Sequence, residues 1–360
     1  MEINMKEILK QFNIDANANS YGDGHINETY RLESSPYLLQ RINVDVFKNP
    51  HEVMENIENV TEHLRKKIVA AGGDPDRETL TVIKTADGAN YYKVDDERVY
   101  RMYKFIEDAV SYNKVTSTKQ FYDAARAFGK FQNMLADFPA EKLHETIVNF
   151  HNTPERVNQL LDAIKKDAVG RAKSVKAEID FALERAGEMD AVLKAMDEGT
   201  VPLRVTHNDT KLNNVMFDTN TGEPICVVDL DTVMPGSMLF DYGDALRFGA
   251  STADEDEKDL SKVWFDLELF KSFSMGYIEE MKDVITPKEL ELMPFSAKLL
   301  TYECGIRFLA DYINGDVYYK IHYPEQNLDR ARTQLKLVAD MESKMDEMKQ
   351  IIKELTPAKA

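Results

Sequence analysis

The stretch Val205–Asp244, VTHNDTKLNNVMFDTNTGEPICVVDLDTVMPGSMLFDYGD, constrains this chain more than any other. His207-x-Asp209 precedes Asn214, and the apolar run Ile225–Val228 ends in Asp229. Val215–Asp218 and Ile225–Val228 read as two short strands, with turn residues Thr219-Asn220-Thr221-Gly222-Glu223-Pro224 between them. Such a hairpin returns Asp229 towards Asn214, so that one metal could touch both. Asp209 and Asn214 could instead cap a local turn, as these residue types often do. That reading gives no reason for a second acidic strand end in register.

An acid, an amide and a second acid in this order suit phosphoryl transfer. That chemistry needs a carboxylate near the incoming hydroxyl and hard oxygen donors to hold magnesium against a triphosphate. Asp209 suits the first purpose, Asn214 and Asp229 the second. The pattern H-x-D-x-x-x-x-N, a hairpin and a strand-terminal Asp resembles the catalytic and metal loops of protein kinases and their relatives.

A chain of 360 residues exceeds one typical domain. We expect an α+β, two-lobed kinase-like fold: an N-terminal nucleotide-binding lobe over 1–105, with antiparallel sheet plus helix, and a mostly helical catalytic lobe over 106–360. With 63 acidic against 45 basic residues, the net charge of -18 opposes binding to a polyanion, so no nucleic-acid partner is expected. The two cysteines, Cys226 and Cys304, form neither a disulfide framework nor zinc spacing, which fits a reducing cytoplasm. MEINMKEILKQF lacks the apolar stretch of a signal peptide, and no segment approaches the ~18 apolar residues of a membrane span. A soluble protein without a membrane partner is expected, and no protein partner is evident.

In chain order, a short helix over Met5–Phe12 leads to Tyr21-Gly22-Asp23-Gly24-His25-Ile26-Asn27, which runs into a strand from Thr29. Gly22, Asp23 and Gly24 suit a loop that bends over phosphates with backbone amides, although Asn27 stands where G-x-G-x-x-G ends in glycine. Tyr37–Ile42 is the third strand, where kinases carry a phosphate-binding lysine. Gln40 falls at that place and Arg41 follows it, so both are nucleotide-site candidates. Pro50–Lys67 is a helix with Val53, Ile57, Val60 and Leu64 on one face. Asp87-Gly88 reads as the turn of a hairpin between Leu80–Lys84 and Asn90–Val94. Val99–Tyr103 closes the small lobe and puts a nucleotide-binding hinge near Met102 to Ile106, with Met102 and Tyr103 at its start.

Thr118–Ala136 repeats apolar residues at helical spacing, Thr153 and Pro154 open another helix, and Val175–Met196 is helical. Asp231–Gly236 reads as an irregular loop. Asp231 shares strand parity with Asp229, and Asp241 is placed to brace the catalytic loop through backbone hydrogen bonds. Helices follow over Asp259–Met281, from the capping box Thr286-Pro287-Lys288-Glu289 to Ile313, and over Asn327–Leu355.

No A-P-E activation segment follows the metal motif. With histidine opening the first motif and Asp241 following the second, the chain resembles the aminoglycoside phosphotransferase and choline kinase superfamily more than protein kinases. YGDGHINETY, YLLQRIN, VTHNDTKLNNVMFD and VVDLDTVMPGSMLFDYGDALRFGAS look like the N-acetylhexosamine 1-kinases, along nearly the whole chain. The resemblance implies ATP- and Mg2+-dependent phosphorylation of the anomeric hydroxyl of N-acetylglucosamine or N-acetylgalactosamine. It implies Asp209 as base, also touching the sugar, and Asn214 and Asp229 as metal ligands. It further implies that His25, Phe248, Arg307 and Tyr318 line the sugar pocket. Read from the residues alone, His25 is a loop histidine, and Phe248 and Tyr318 fit an ordinary core. Arg307, on an apolar helical stretch, calls for a dedicated anionic or carbonyl partner, either a ligand or an internal carboxylate. Open alternatives are a kinase for choline, homoserine, a thioribose or an aminoglycoside, a nucleotide-binding regulator without turnover, and a scaffold protein.

Overall fold

The structure, a computed structural model, describes residues 5–22 and 26–356. It divides into two compact units: Met1–Ser111 with Met134–Val148 and Asn214–Pro235, and Tyr112–Asn133 with Asn149–Asn213 and Gly236–Ala360.

The first unit is built on an antiparallel sheet. Its strands are β1 (Ala18–Ser20), β2 (Glu28–Leu32), β3 (Tyr37–Ile42), β4 (Val82–Ile83), β5 (Tyr92–Asp95) and β6 (Arg98–Lys104), in the order β1-β2-β3-β6-β4 with β5 also on β6. Alternation along the strands sorts the two faces. Leu39 and Met102, partners across the ladder, pack with Leu32, Tyr100 and Ile8, Leu9 and Phe12 of the first helical segment, α1 (Met5–Lys10) and the turn after it. Each such side chain contributes about 1.5–3 kcal/mol on burial. Gln40 and Arg101 are likewise ladder partners, on the opposite face. That face meets α2 (Pro50–Ala70), whose Met54 sulfur lies 4.0 Å from Arg101 Nη1. Val53, Ile57, Val60 and Leu64 of α2 are buried, as the periodicity requires. Its acidic residues are used locally: Glu58 pairs with Lys84 and Asn90, and Glu55 with His144.

The expected hairpin about Asp87-Gly88 does not form. β4 and β5 both run antiparallel to β6, β4 opposite Met102 and Tyr103 and β5 opposite Val99 and Tyr100, so they share one lane and one direction. Two strands running the same way cannot be joined as a hairpin. The turn residues close a small loop instead, Gly88 N donating to Thr85 O and Thr85 N to Ala89 O, each at 2.9 Å. The true hairpin comes one strand later, where Asp95 faces Arg98. The hairpin after Asn214 does form, pairing Val215–Asp218 with Pro224–Val227, and Ala109–Val110 adds a third strand.

The second unit is mostly helical. Its helices are α3 (Thr118–Met134), α4 (Thr153–Lys166), α5 (Lys176–Arg185), α6 (Ala191–Asp197), α7 (Met238–Gly249), α8 (Leu267–Met281), α9 (Pro287–Asn314) and α10 (Gln326–Leu355). α9 starts at the expected capping box, with Thr286 and Glu289 bonding reciprocally, and packs against α4, α7 and α10. α7 crosses α9 closely: a Cβ on Gly243 would lie 2.4 Å from the Ser296 carbonyl oxygen.

Three sequence expectations shift here. Asn152, not Thr153, caps α4 by accepting from Glu155 N, which leaves the Thr153 hydroxyl to donate to Glu303 Oε2 at 2.6 Å. The span 175–196 breaks into α5 and α6 around Gly187. α8 begins only at Leu267, because Asp266 caps it, accepting from Glu268 N and Leu269 N. Among the described residues no helix is long and apolar enough to cross a membrane.

Candidate active site

In the second unit, strand Arg204–Thr206 delivers the chain into the His207–Asp209 loop. The His207 ring is fully buried and edge-on to Phe128 and Phe131, 5.9 and 6.0 Å between centroids. It is a pillar of the core and anchors the start of the loop. Asn208 takes a left-handed φ of 65°. The buried Asp241 carboxylate of α7 fixes this turn, accepting from His207 N at 2.9 Å, Asn208 N at 2.7 Å and Gln132 Nε2 at 2.6 Å. Thr210 Oγ1 donates to the Asp241 carbonyl at 2.5 Å. The bracing role expected for Asp241 is thus visible atom by atom.

Asp209 comes next after the braced turn, about a quarter exposed, with Lys211 Nζ 2.9 Å from its Oδ1. The Asp209 carboxylate holds the Lys211 ammonium well above its ordinary pKa, outweighing burial. A partly exposed carboxylate with a permanent cation beside it can orient a hydroxyl and accept its proton. Lys211 was not singled out in the sequence, although its spacing from Asp209 was open to view.

Asn214 and Asp229 belong to the first unit. The hairpin returns as expected, with Val228 N donating to the Asn214 carbonyl at 2.9 Å. Asp229 stands at φ 61° and ψ 59°, a left-handed conformation a non-glycine residue holds only where its surroundings fix it. One carboxylate and one amide oxygen suit magnesium, which keeps several waters and completes its shell with substrate phosphates. Among the described residues no group of three or more His, Cys, Asp or Glu forms an all-protein metal cage.

The other nucleotide-site candidates separate. Gly22 has φ 74°, a backbone that favours glycine, while Asp23, Gly24 and His25 lie outside the described residues. Gln40 Oε1 accepts two bonds from Arg101, at 3.0 and 2.9 Å. Arg41 turns to the other face and pairs with Glu28 at 2.9 Å. Met102 is wholly buried in the core beside α1, and Tyr103 is buried on the Arg101 face.

In the second unit, Arg307 lies over the rings of Phe150 and Tyr319, 5.7 Å from each centroid. Its guanidinium makes no hydrogen bond or ion pair to a described residue. The neighbouring Glu303 is already bonded to His151 Nδ1 at 2.8 Å and to Thr153. Burial pushes the Glu303 carboxyl up, but His151, Arg307 and Thr153 more than offset it and leave it below the ordinary range. Among the described residues, His151 Nε2 and Arg156 Nε are buried without hydrogen-bond partners. Tyr318 is two-thirds exposed and its neighbour Tyr319 takes the place against Arg307; Phe248 is half-buried near the end of α7. Sequence reasoning missed His151, Arg156 and Tyr319, which come from segments distant in the chain.

Solved structures share this fold. A microcompartment-associated aminopropanol kinase matches with TM-score 0.65 and 16% identity over 96% of this chain and 98% of that one. An aminoglycoside phosphotransferase from Alicyclobacillus acidocaldarius matches with TM-score 0.66 and 11% identity over 98% of both chains. The choline kinase LicA from Streptococcus pneumoniae matches with TM-score 0.54 and 13% identity over 93% of this chain and 97% of that one. Residues 18–266, well over half the chain and including every element of the Val205–Asp244 stretch, match the model of the phosphotransferase enzyme family, APH, and the chain belongs to that family.

Proposed function

We propose that the chain is an ATP- and Mg2+-dependent kinase that phosphorylates the anomeric C1 hydroxyl of an N-acetylhexosamine. The observation that carries the acceptor class is Arg307. A ring-flanked guanidinium with no hydrogen bond or ion pair to a described residue, close enough to Arg156 for their charges to interact, with Glu303 already bonded to His151 and Thr153, is unsuited to a choline, an amino alcohol or an aminoglycoside. It suits a neutral acceptor rich in carbonyl and hydroxyl oxygens, and an acetamido sugar offers both. The net charge of -18 favours the cationic alternative, but a field summed over the whole surface ranks below a half-buried charge beside the acceptor.

In this reading Asp209 orients the C1 hydroxyl and accepts its proton late, while Lys211 pairs with the carboxylate from the side. Asn214 and Asp229 would hold the magnesium ion, which when bound neutralises phosphate charge. Asp241 and His207 fix the loop on which Asp209 stands. Positioning and charge neutralisation carry most of the acceleration, because a loose phosphoryl transition state asks little of a base beforehand. Arg307 and Tyr319 would orient the sugar, with Phe248, Tyr318 and His25 as further candidates.

The test is phosphoryl transfer from ATP with magnesium to N-acetylglucosamine, N-acetylgalactosamine, glucose, choline, homoserine and kanamycin, with phosphorus NMR of the products. A sugar 1-phosphate formed preferentially from the N-acetylated sugars is expected. Preferential transfer to choline, homoserine or kanamycin would overturn the acceptor, and ATP binding without transfer would overturn the activity.

A further inference from the structure

Strand β3 carries no lysine, and its two polar residues divide between the faces of the sheet. Arg41 turns to the exposed side, pairing with Glu28 and donating to the Glu97 carbonyl. Gln40 takes the other side, directly across the ladder from Arg101. Its Oε1 accepts from Arg101 Nε and Nη2, and its Nε2 donates to Thr29 Oγ1 at 3.0 Å. A lysine at this place would set a second cation beside Arg101, whereas glutamine completes it.

Arg101 is only 1% exposed, and a buried guanidinium is tolerable only when its charge and donors are matched. Its Nη1 meets Asp231, 3% exposed and two residues beyond Asp229. Asp231 Oδ2 also accepts from Asn27 Nδ2 at 2.6 Å, and Asn27 Oδ1 in turn accepts from Asn43 N at 3.0 Å. From α2, Asn56 Nδ2 donates to the Val233 carbonyl at 2.9 Å. Three elements of the first unit therefore hold the five residues that begin with the left-handed Asp229.

We propose that Arg101 is a positioning residue for the segment that carries Asp229. Aligned by Gln40, it holds Asp231, fixes the backbone that presents Asp229, and through Asp231 joins that segment to Asn27 at the end of the glycine loop. It acts through Asp231 and does not touch the nucleotide. The inference rests on Asp229 as a metal ligand.

The test measures binding of ATP by calorimetry with and without magnesium, and of adenosine alone, on the whole chain and two variants. Gln40→Met and Arg101→Lys keep the buried charges but lose the two-bond alignment, since an ammonium cannot reproduce a guanidinium fork. Each is expected to shrink the magnesium-dependent gain in ATP affinity by about 10–100-fold, the usual effect of an outer support of a metal ligand. Adenosine affinity should not change. Wild-type magnesium dependence in both single variants would overturn the proposal, as would parallel loss of ATP and adenosine binding. A wild-type chain that binds ATP equally with and without magnesium would instead sink the metal reading of Asp229 and this proposal with it.

Discussion

The Asp241 carboxylate accepts the backbone N–H of Asn208 at 2.7 Å while Asn208 holds a φ of 65°. A side chain 33 residues away in sequence thus secures the turn that presents Asp209. Asp241→Ala would remove the carboxylate that accepts from His207 N and Asn208 N, at about 1–3 kcal/mol each. Denaturant melts should register that loss. Turnover should fall further than the folded fraction, because the released turn no longer holds Asp209. Asp241→Asn keeps one acceptor oxygen and should fall between the two.

Asp209 and Lys211 separate chemistry from binding. Asp209→Asn is expected to lower kcat by about 10²–10⁴-fold, the range for removal of a general base, with ATP affinity largely kept. Lys211→Met should also lower kcat, since the carboxylate loses its partner at 2.9 Å. Steady-state kinetics beside equilibrium ATP binding checks both, and unchanged kcat in Asp209→Asn removes that residue from the base role.

The hairpin from Asn214 to Asp229 was legible because its signals are local: two short apolar strands, a polar turn and an acid at the end. The capping box of α9 and the apolar face of α2 were legible for the same reason. Helix α7 was not. Nearly every residue from Met238 to Gly249 is buried, so no polar face marks its period. The lane shared by β4 and β5 depends on pairing with β6, and turn residues at Asp87-Gly88 cannot report which strand receives their flanks. Gln40 was located correctly within β3, but its partner lies 61 residues on. An arginine amid Val99-Tyr100-Arg101-Met102-Tyr103 was the available hint. At Arg307 the sequence marked an unusual arginine, and only the fold showed that two rings flank it and that the neighbouring Glu303 is bonded to His151 and Thr153 instead.

Glu303 gives a pH prediction. An unfolded glutamate titrates near 4.5, and the folded carboxyl lies below that value because His151, Arg307 and Thr153 outweigh its burial. A depressed folded pKa contributes stability that is present above the unfolded value and is lost as pH falls through the folded one. The difference in unfolding free energy between the wild type and Glu303→Gln should therefore shrink as pH falls below 4.5. Urea melts on either side of that value check it, and a gap that widens as pH falls below 4.5 contradicts the pairing.

Arg307 allows the acceptor site to be told apart from the scaffold. It bonds to no described residue, and its native support is the pair of rings at 5.7 Å and the charge of the neighbouring Glu303. Cation–π contacts of this kind contribute about 0.5–2 kcal/mol, and Arg307→Ala should lower the melting temperature only modestly. Removing a charged donor from a bound sugar costs about 1.5–3 kcal/mol, so kcat/KM for the N-acetylated sugar should fall about 10–100-fold. KM for ATP should stay near wild type. Arg307→Lys keeps the charge but not the planar fork, and should recover part of the loss. A variant that melts early yet retains full kcat/KM would make Arg307 a structural residue and return the acceptor class to the cationic alcohols.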